Sequence, residues 1–153
     1  MPCKLVAPLP VRVKYLRQGA MPPHRGTAKS AGLDLAAALE NEVAIAPGAR
    51  AAIPTGISIE IDRPGIAAFI FSRSGLGAKD GLTVAQGVGV IDPDYRGEIM
   101  VWLINTAREP RTVRPGQRIA QLLFLPVFTA ELTFADELSD TGRGAGGFGH
   151  PGD

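Results

Sequence analysis

Cysteine occurs once in the 153 residues, at Cys3, so an internal disulfide and a zinc site built from cysteines are both excluded. An excess of one charge is also lacking, because 16 Lys and Arg against 15 Asp and Glu leave a net charge of +1. This balance argues against binding to nucleic acid or to a membrane through bulk charge. No apolar run is long enough to span a bilayer. The start, MPCKLVAPLP, has no apolar core followed by a small-residue cleavage site, so we expect no signal peptide and a cytoplasmic protein.

Glycine and proline are plentiful, at 19 and 13 residues, and they leave little room for long helices. Between them lie short runs in which apolar and polar residues alternate with a period of two, as in half-buried strands. These runs cover residues 11–16, 42–46, 57–61, 66–71, 82–91, 98–105, 111–116 and 119–128. We therefore predict one all-β domain of the jelly-roll kind, with Trp102 and Phe124 in its core.

Two segments depart from the strand pattern. The stretch SRSGLGAKDG (72–81) predicts one helical turn, with Ser74 as its N-terminal cap. The stretch SDTGRGAGGFGHPGD (139–153) is rich in glycine and loses the alternation. We therefore predict a folded domain over residues 1–138 and a flexible C-terminal arm over residues 139–153.

Two aspartates interrupt apolar segments. Asp34 lies in AGLDLAA (31–37), where it needs polar partners or must face water, as on an edge strand. Asp92 lies in GVGVIDPDYRGEI (87–99), inside the strand pattern, whereas Asp94 falls among the turn residues. The position of Asp92 leaves two interpretations, a turn former or a carboxylate that handles a proton or a water.

Two segments combine an arginine with glycines in a way that suits an anion. Arg73, in FSRSGLGAKDG (71–81), stands where a strand opens into a helical turn with free backbone N–H groups. The alternative is an ordinary turn with a solvated arginine. In GRGAGGFGH (142–150), Arg143 can clamp a phosphate and Phe148 can stack on a base, and the alternative is a disordered chain end.

Taken in order, five segments of the chain resemble the five motifs of the trimeric dUTPases. They are AGLDLAA, SRSGLGAKDG, GVGVIDPDYRGEI, PGQRIAQLLF and RGAGGFGHPG, which span roughly residues 27–152. The resemblance, closest to the bacterial enzymes, implies a homotrimer of jelly-roll (β-clip) subunits with active sites shared between subunits. It also implies Mg²⁺-assisted hydrolysis of dUTP to dUMP and pyrophosphate by water attack on the α-phosphorus. That reaction limits uracil in DNA and supplies dUMP for dTMP synthesis.

The resemblance also implies roles for individual residues. Asp92 is the catalytic residue that holds the attacking water, and Asp34 binds Mg²⁺ through a water. Tyr95 packs against the deoxyribose, where a ribose 2′-hydroxyl would clash. The other implied substrate-binding residues are Arg73, Ser74 and Gly75 at the phosphates, Gln121 near the α-phosphate, Gln86, Val90, Ile91 and Met100 around uracil, Arg143 at the γ-phosphate and Phe148 over the uracil.

The chain departs from the family pattern at three positions. Gln86 stands where the family often has asparagine, and Ser72 stands where it usually has proline. Pro151, near the end of the arm, has no N–H to donate to a phosphate. The implied arm contacts therefore rest on Arg143 and Phe148.

Two other functions compete with this one. The related dCTP deaminases need a glutamate close to the base, in a segment ending Thr-Leu-Glu, and EIMVWLIN (98–105) lacks that ending. A trimeric jelly roll that only binds nucleotide, or that regulates a partner, has no need for a carboxylate that holds a water. The presence of Asp34, Arg73 and Asp92 together argues against that non-enzymatic function.

Overall fold

The computed structural model of the chain describes residues 8–147, which form eleven β-strands and one short helical turn at Gly75–Lys79. The strands are β1 (Val11–Tyr15), β2 (Leu33–Ala36), β3 (Val43–Ile45), β4 (Arg50–Pro54), β5 (Ile57–Ile61), β6 (Ile66–Ser72), β7 (Leu82–Val84), β8 (Gly89–Ile91), β9 (Met100–Asn105), β10 (Arg111–Val113) and β11 (Arg118–Pro126). All of the strand pairs are antiparallel. The prediction of an all-β jelly roll is confirmed.

The largest sheet has the strand order β2-β11-β6-β8, and it carries most of the residues that matter below. Its central pairing joins β6 to β11, from Ser72 opposite Ala120 to Ile66 opposite Pro126. A proline cannot donate to a ladder, so Pro126 is a natural end for β11. Strands β2 and β8 form the two edges of this sheet. The other sheets are β4-β9-β7, β1-β5 and β3-β10.

The core follows from the period-two alternation of the strands. In β9, Val101 and Leu103 are 1% and 0% exposed, while Met100 and Trp102 on the opposite face are 37% and 49% exposed. Each fully buried aliphatic side chain stabilises the fold by about 1.5–3 kcal/mol. The prediction that Trp102 lies in the core is wrong, because its position in the alternation turns it away from the core. Phe124 is partly buried and packs against the core.

One fully buried polar residue, Asn105, ties the end of β9 to its surroundings. Its Nδ2 donates hydrogen bonds of 2.8 Å to the carbonyl oxygens of both Ile45 and Glu109. Its Oδ1 accepts a hydrogen bond of 2.9 Å from the backbone N–H of Ala107. Because all of these polar groups find partners, burying the amide carries no large desolvation penalty.

Three local predictions need correction. The run 82–91 is two strands, because a turn at Ala85 and Gln86 separates β7 from β8. The N–H of Gly87, which has a φ of +80°, closes this turn by donating to the carbonyl oxygen of Val84 at 3.0 Å. Ser74 does occupy the position before the helical turn, but it has helical backbone angles and its side chain makes no capping hydrogen bond. Strands β2 and β4 were not among the predicted runs. Strand β2 entered only as one interpretation of Asp34, and the sequence of β4, RAAIP, holds few residues that favour strands.

Beyond β11 the described chain has no further strand, and residues 128–145 are all exposed. Four large apolar side chains lie in this stretch, Phe128, Leu132, Phe134 and Leu138, with exposures between 76% and 96%. A single subunit therefore leaves this apolar surface uncovered. Between residues 8 and 147, no helix has the length and apolar character needed to cross a membrane.

Candidate active site

A cleft of about 230 Å³ brings together residues from the β8–β9 connection. Six of the residues expected to bind substrate or catalyse line it, namely Gln86, Val90, Ile91, Asp92, Tyr95 and Met100. They come from three neighbouring segments, the β7–β8 turn, β8 with its following turn, and the start of β9. The structure therefore brings these six residues together at one location.

Asp92 begins the turn that follows β8. The backbone N–H of Tyr95 donates to the carbonyl oxygen of Asp92 at 3.1 Å, and Pro93 lies at the position of this β-turn that proline favours. The main chain of Asp92 thus forms the turn. Its side chain is exposed, and among residues 8–147 no group donates a hydrogen bond to its carboxylate. The carboxylate is free to accept a hydrogen bond from water.

The wall of the cleft beside Asp92 is the edge strand β8. Val90 is 62% exposed, whereas Ile91 is 6% exposed and belongs to the core. Strand β8 pairs only with β6 in the described chain, so alternate residues of β8 direct their backbone N–H and C=O groups away from the sheet. The amide nitrogen of Gln86 lies 3.5 Å from the position that a Cβ would take at Gly89. The Gln86 side chain therefore lies beside the buried Gly89 of β8, at the wall of the cleft.

Tyr95, Met100 and Trp102 complete the cleft. Tyr95 is 47% exposed, and its hydroxyl donates to the carbonyl oxygen of Glu98 at 3.0 Å. The sequence interpretation missed Trp102 as a lining residue. The signal was available, because Met100 and Trp102 are two residues apart on a strand and must share a face.

A second cluster lies at the other end of the largest sheet, around Asp34. Arg73 Nε donates to Asp34 Oδ1 at 3.0 Å, and Arg118 Nη1 donates to Asp34 Oδ2 at 3.1 Å. Arg73 Nη1 also donates to the backbone carbonyl of Arg118 at 3.2 Å. Strand β2 is an edge strand, as one interpretation of Asp34 required, but the side chain is only 15% exposed. Two arginines each donate a hydrogen bond to it.

Gln121 and the helical turn flank this cluster. Gln121 lies directly opposite Asp34 on β2 and Phe71 on β6, so the three side chains share a face of the sheet. Gln121 Nε2 donates to the carbonyl oxygen of Ser72 at 3.3 Å. Ser74 and Gly75 are exposed beside Arg73. An arginine has five N–H donors, so Arg73 keeps donors for an anion after serving Asp34 and Arg118.

The groups around Asp34 fit a divalent ion that is bound through water molecules. No group of three or more His, Cys, Asp or Glu side chains within residues 8–147 has the geometry of a metal site. Each carboxylate oxygen has about two lone-pair positions, and each oxygen of Asp34 has given one to an arginine. What remains suits water molecules of a hydrated Mg²⁺ better than direct coordination.

The two clusters are far apart within one subunit. Gln121 on β11 lies opposite both Asp34 on β2 and Phe71 on β6, so Asp34 is level with Phe71. On the other side of β6, Ile91 lies opposite Ala68, so Asp92, the next residue, is level with residue 67. The two aspartates are separated by three strand spacings, roughly 14 Å, and by four residues along the strands, roughly 13 Å, hence by roughly 20 Å. One subunit does not bring its own Asp92 to its own Arg73 and Asp34.

The arm residues lie outside both clusters. Arg143 is exposed, and its Nε donates to the carbonyl oxygen of Gly146 at 2.7 Å within a local turn. Phe148, with His150 and Pro151, falls outside the described residues.

Arg118, which the sequence interpretation missed, has an unambiguous place beside Asp34. Its sequence signal was weak, since it is one arginine in a strand with the apolar run IAQLLFL.

Comparison with known proteins supplies a family. The family model described as dUTPase matches residues 18–152. The deoxyuridine 5′-triphosphate nucleotidohydrolase of Desulfitobacterium hafniense (strain DSM 10664 / DCB-2) is 52% identical over 144 residues, covering 93% of this chain and 95% of the relative. The enzyme of the same name from Enterobacter sp. (strain 638) is 49% identical over 130 residues, covering 85% and 86%.

Solved structures of dUTPases are also similar to this chain. A variant of the dUTPase of Staphylococcus bacteriophage 80alpha, in complex with dUpNHpp, has a TM-score of 0.81 at 27% identity and covers 94% of this chain and 99% of that chain. A variant dUTPase from phage phi11 of S. aureus, described with a coordinated structural Mg(II) ion, has a TM-score of 0.77 at 24% identity, with 86% and 99% covered. At that identity the second structure supports the fold alone.

Proposed function

The chain belongs to the dUTPase family, and on that premise we propose how it hydrolyses dUTP to dUMP and pyrophosphate. Asp92 holds the water that attacks the α-phosphorus. Mg²⁺ is the cofactor. The reaction keeps uracil out of DNA and supplies dUMP for dTMP synthesis. The observation that carries the proposal is the carboxylate of Asp92, which is exposed in a cleft and accepts no hydrogen bond from the rest of the described chain.

Asp92 acts as the general base. A carboxylate that is fixed by a turn but has free lone pairs can orient a water and accept its proton as the water attacks. The bond from the Tyr95 N–H to the Asp92 carbonyl fixes the main chain without using the carboxylate. Positioning of this kind supplies most of the catalysis in phosphoryl transfer, because the protein forms no covalent bond to the substrate.

The edge of β8 reads the base. Uracil presents carbonyl acceptors and an N3–H donor, which complement free backbone N–H and C=O groups of an edge strand. Cytosine presents an acceptor at N3 and a donor at its amino group, so it would leave strand groups unpaired, and unpaired buried groups discriminate strongly. Ile91 anchors the strand in the core, while Val90, Gln86 and Met100 contact the base from the sides. Tyr95 packs against the deoxyribose and excludes a 2′-hydroxyl.

The cluster around Asp34 receives the phosphates. Arg73 binds them with its remaining N–H groups, and Ser74 and Gly75 contribute hydroxyl and backbone donors. Gln121, on the same face, lies near the α-phosphate. Asp34 would hold a hydrated Mg²⁺ through water, and the ion would supply positive charge to neutralise the triphosphate.

Each active site is shared between subunits of a homotrimer. The water held by Asp92 must lie about 3–3.5 Å from the α-phosphorus, while Asp34 must reach Mg²⁺ on the same triphosphate. The roughly 20 Å between the two aspartates of one chain separates these positions too widely. The cleft of about 230 Å³ is also smaller than the usual range of about 300–1,000 Å³ for a complete ligand pocket. Both facts favour a site in which Asp92 of one subunit meets Arg73 of another. The arm, residues 139–153, closes the site with Arg143 at the γ-phosphate and Phe148 over the uracil.

The substrate is a free nucleotide, so the protein needs neither a nucleic-acid surface nor a membrane. The net charge of +1 is consistent with that, and the single Cys3 suits the reducing cytoplasm in which we place it.

The test supplies dUTP or dCTP with Mg²⁺ in water enriched in ¹⁸O. We expect equal amounts of dUMP and pyrophosphate from dUTP, with the label in dUMP because water attacks the α-phosphorus. Label in pyrophosphate would mean attack at the β-phosphorus. Ammonia from dCTP would indicate the deaminase function, and nucleotide binding without products would indicate a binding protein. Asp92→Asn prepared in parallel excludes a contaminating phosphatase.

A further inference from the structure

Gly97 lies against the ring of Tyr95. A Cβ built at Gly97 would lie 2.5 Å from Tyr95 Cζ and 2.9 Å from Cε2, and closer still to the hydroxyl oxygen. Separations below 3.0 Å to a Cβ essentially never occur, so any side chain at position 97 must displace something. All three of the nearest atoms belong to Tyr95. The closest conflict is therefore with one aromatic ring.

The backbone at position 97 does not itself require glycine. Gly97 is absent from the glycines with positive φ, unlike Gly87 at +80° in the neighbouring turn. The left-handed conformation that penalises alanine is therefore not the reason for glycine at this position. Glycine at this position thus serves to leave room for Tyr95.

The hydroxyl end of Tyr95, which a Cβ at position 97 would push, is held on its other side by Glu98. Tyr95 donates to the Glu98 carbonyl at 3.0 Å. The Glu98 side chain is anchored in turn, since it accepts from Gly56 N at 2.8 Å and from Arg17 Nη2 at 2.5 Å. A ring that moved off Gly97 would lose the bond to Glu98 and change the shape of the cleft.

We propose that Gly97 is a positioning residue for sugar discrimination. Because Gly97 has no side chain, the Tyr95 ring can pack against it. In this position the ring leaves room for deoxyribose in the cleft but not for a ribose 2′-hydroxyl. This inference rests on the proposed role of Tyr95 at the sugar. The specificity of the reaction then depends on a residue that touches no substrate.

A double-mutant cycle tests the inference in the full-length enzyme with Mg²⁺. The ratio of kcat/KM for dUTP to that for UTP is measured in wild type, Gly97→Ala, Tyr95→Ala and the double variant. We expect Gly97→Ala to lower this ratio by about tenfold, and the double variant to match Tyr95→Ala within about twofold, because the two residues act as one unit. Gly26→Ala, whose Cβ would meet only Ser30 Oγ at an ordinary 3.6 Å, is the matched control and keeps the ratio.

A spectroscopic readout separates this inference from the proposed function. The chain has two tyrosines, so 3-fluorotyrosine in a Tyr15→Phe background reports on Tyr95 alone. We expect Gly97→Ala to shift its fluorine resonance, and Gly26→Ala not to. If the Tyr95 resonance does not shift in Gly97→Ala, the role of Gly97 is wrong. The role of Gly97 is also wrong if Gly97→Ala keeps the dUTP/UTP selectivity while Tyr95→Ala loses that selectivity. A shifted resonance with unchanged selectivity in both single variants overturns the sugar role of Tyr95, and with it that of Gly97.

Folding offers a last check. If Gly97→Ala melts well below wild type, adding it to Tyr95→Ala must cause little further loss, because the closest contacts of a Cβ at position 97 are with the Tyr95 ring. A double variant that melts well below Tyr95→Ala contradicts the inference.

Discussion

Arg118 donates a hydrogen bond of 3.1 Å to Oδ2 of Asp34, while Arg73 donates one of 3.0 Å to Oδ1 of the same carboxylate. Asp34 therefore lies between two cations. Arg73 is the more buried, with 27% of its side chain exposed against 52% for Arg118. A hydrated cation that approaches Asp34 must do so from the exposed side, where Arg118 is the partner that can move.

This arrangement predicts a metal effect for Asp34→Asn. The substitution keeps the shape of the side chain but removes the charge that attracts Mg²⁺ and its waters, an interaction worth about 1 kcal/mol at the exposed limit. We expect the Mg²⁺ concentration for half-maximal turnover of dUTP to rise by about five- to tenfold. Arg118→Gln is the control, because it leaves the carboxylate charged. If both variants, or neither, raise the Mg²⁺ requirement, Asp34 does not hold the ion.

The second prediction concerns the general base. Asp92→Asn should lower turnover by about 10²–10⁴ because the amide cannot accept the proton of the attacking water. Binding of dUTP should persist. Asp92 is exposed, so the free energy of unfolding should change by less than about 0.5 kcal/mol. Asp94→Asn, an equally exposed carboxylate two residues along the same turn, should retain near-normal turnover. Turnover by a folded Asp92→Asn close to that of wild type would remove Asp92 from the chemistry.

A third prediction addresses stability. Asn105→Ala leaves the carbonyls of Ile45 and Glu109 and the N–H of Ala107 without their partner. We expect the free energy of unfolding to fall by about 2–4 kcal/mol, as measured by urea denaturation. Thr106→Ala removes one exposed bond to the Gly81 carbonyl and should cost under about 1 kcal/mol. A similar loss in both variants would mean that the network of Asn105 is not special.

Period-two alternation made the strands predictable. It located most of them. It failed at β4, where alanine carries little strand preference, and at Trp102, whose hydrophobicity was given more weight than its place in the alternation. The break between β7 and β8 was also missed, although Gly87 marks it with a positive φ.

The sequence suggested which residues to expect in the candidate site better than it suggested which side chains pair with each other. The cleft collects the residues expected from the third motif because they are close in sequence. Asp34, Arg73 and Arg118 come from three strands or strand ends, so their pairing depends on sheet register, which no local pattern encodes. The contact between Gly97 and Tyr95 depends on a side-chain rotamer, which sequence reasoning cannot supply.

The last prediction concerns the arm. Deleting residues 139–153 should leave the trimer folded, since the described chain has no strand beyond Pro126. Turnover should collapse, because Arg143 and Phe148 are lost. Gel filtration and thermal melting should show an intact trimer, and a dissociated or unfolded truncation would mean that the arm serves stability.

Mixed trimers decide whose site the arm serves. The truncated chain is co-expressed with full-length Asp92→Asn, and trimers containing both are isolated through two affinity tags. If the arm closes over the Asp92 of its own subunit, neither kind of subunit completes a site and the mixture stays inactive. If it serves a neighbour, a truncated subunit keeps its Asp92 and borrows the arm of an Asp92→Asn partner, so activity rises well above both parents. Adding Arg143→Gln to the Asp92→Asn chain should abolish that recovery. Mixed trimers as inactive as their parents would reject an arm that acts in trans.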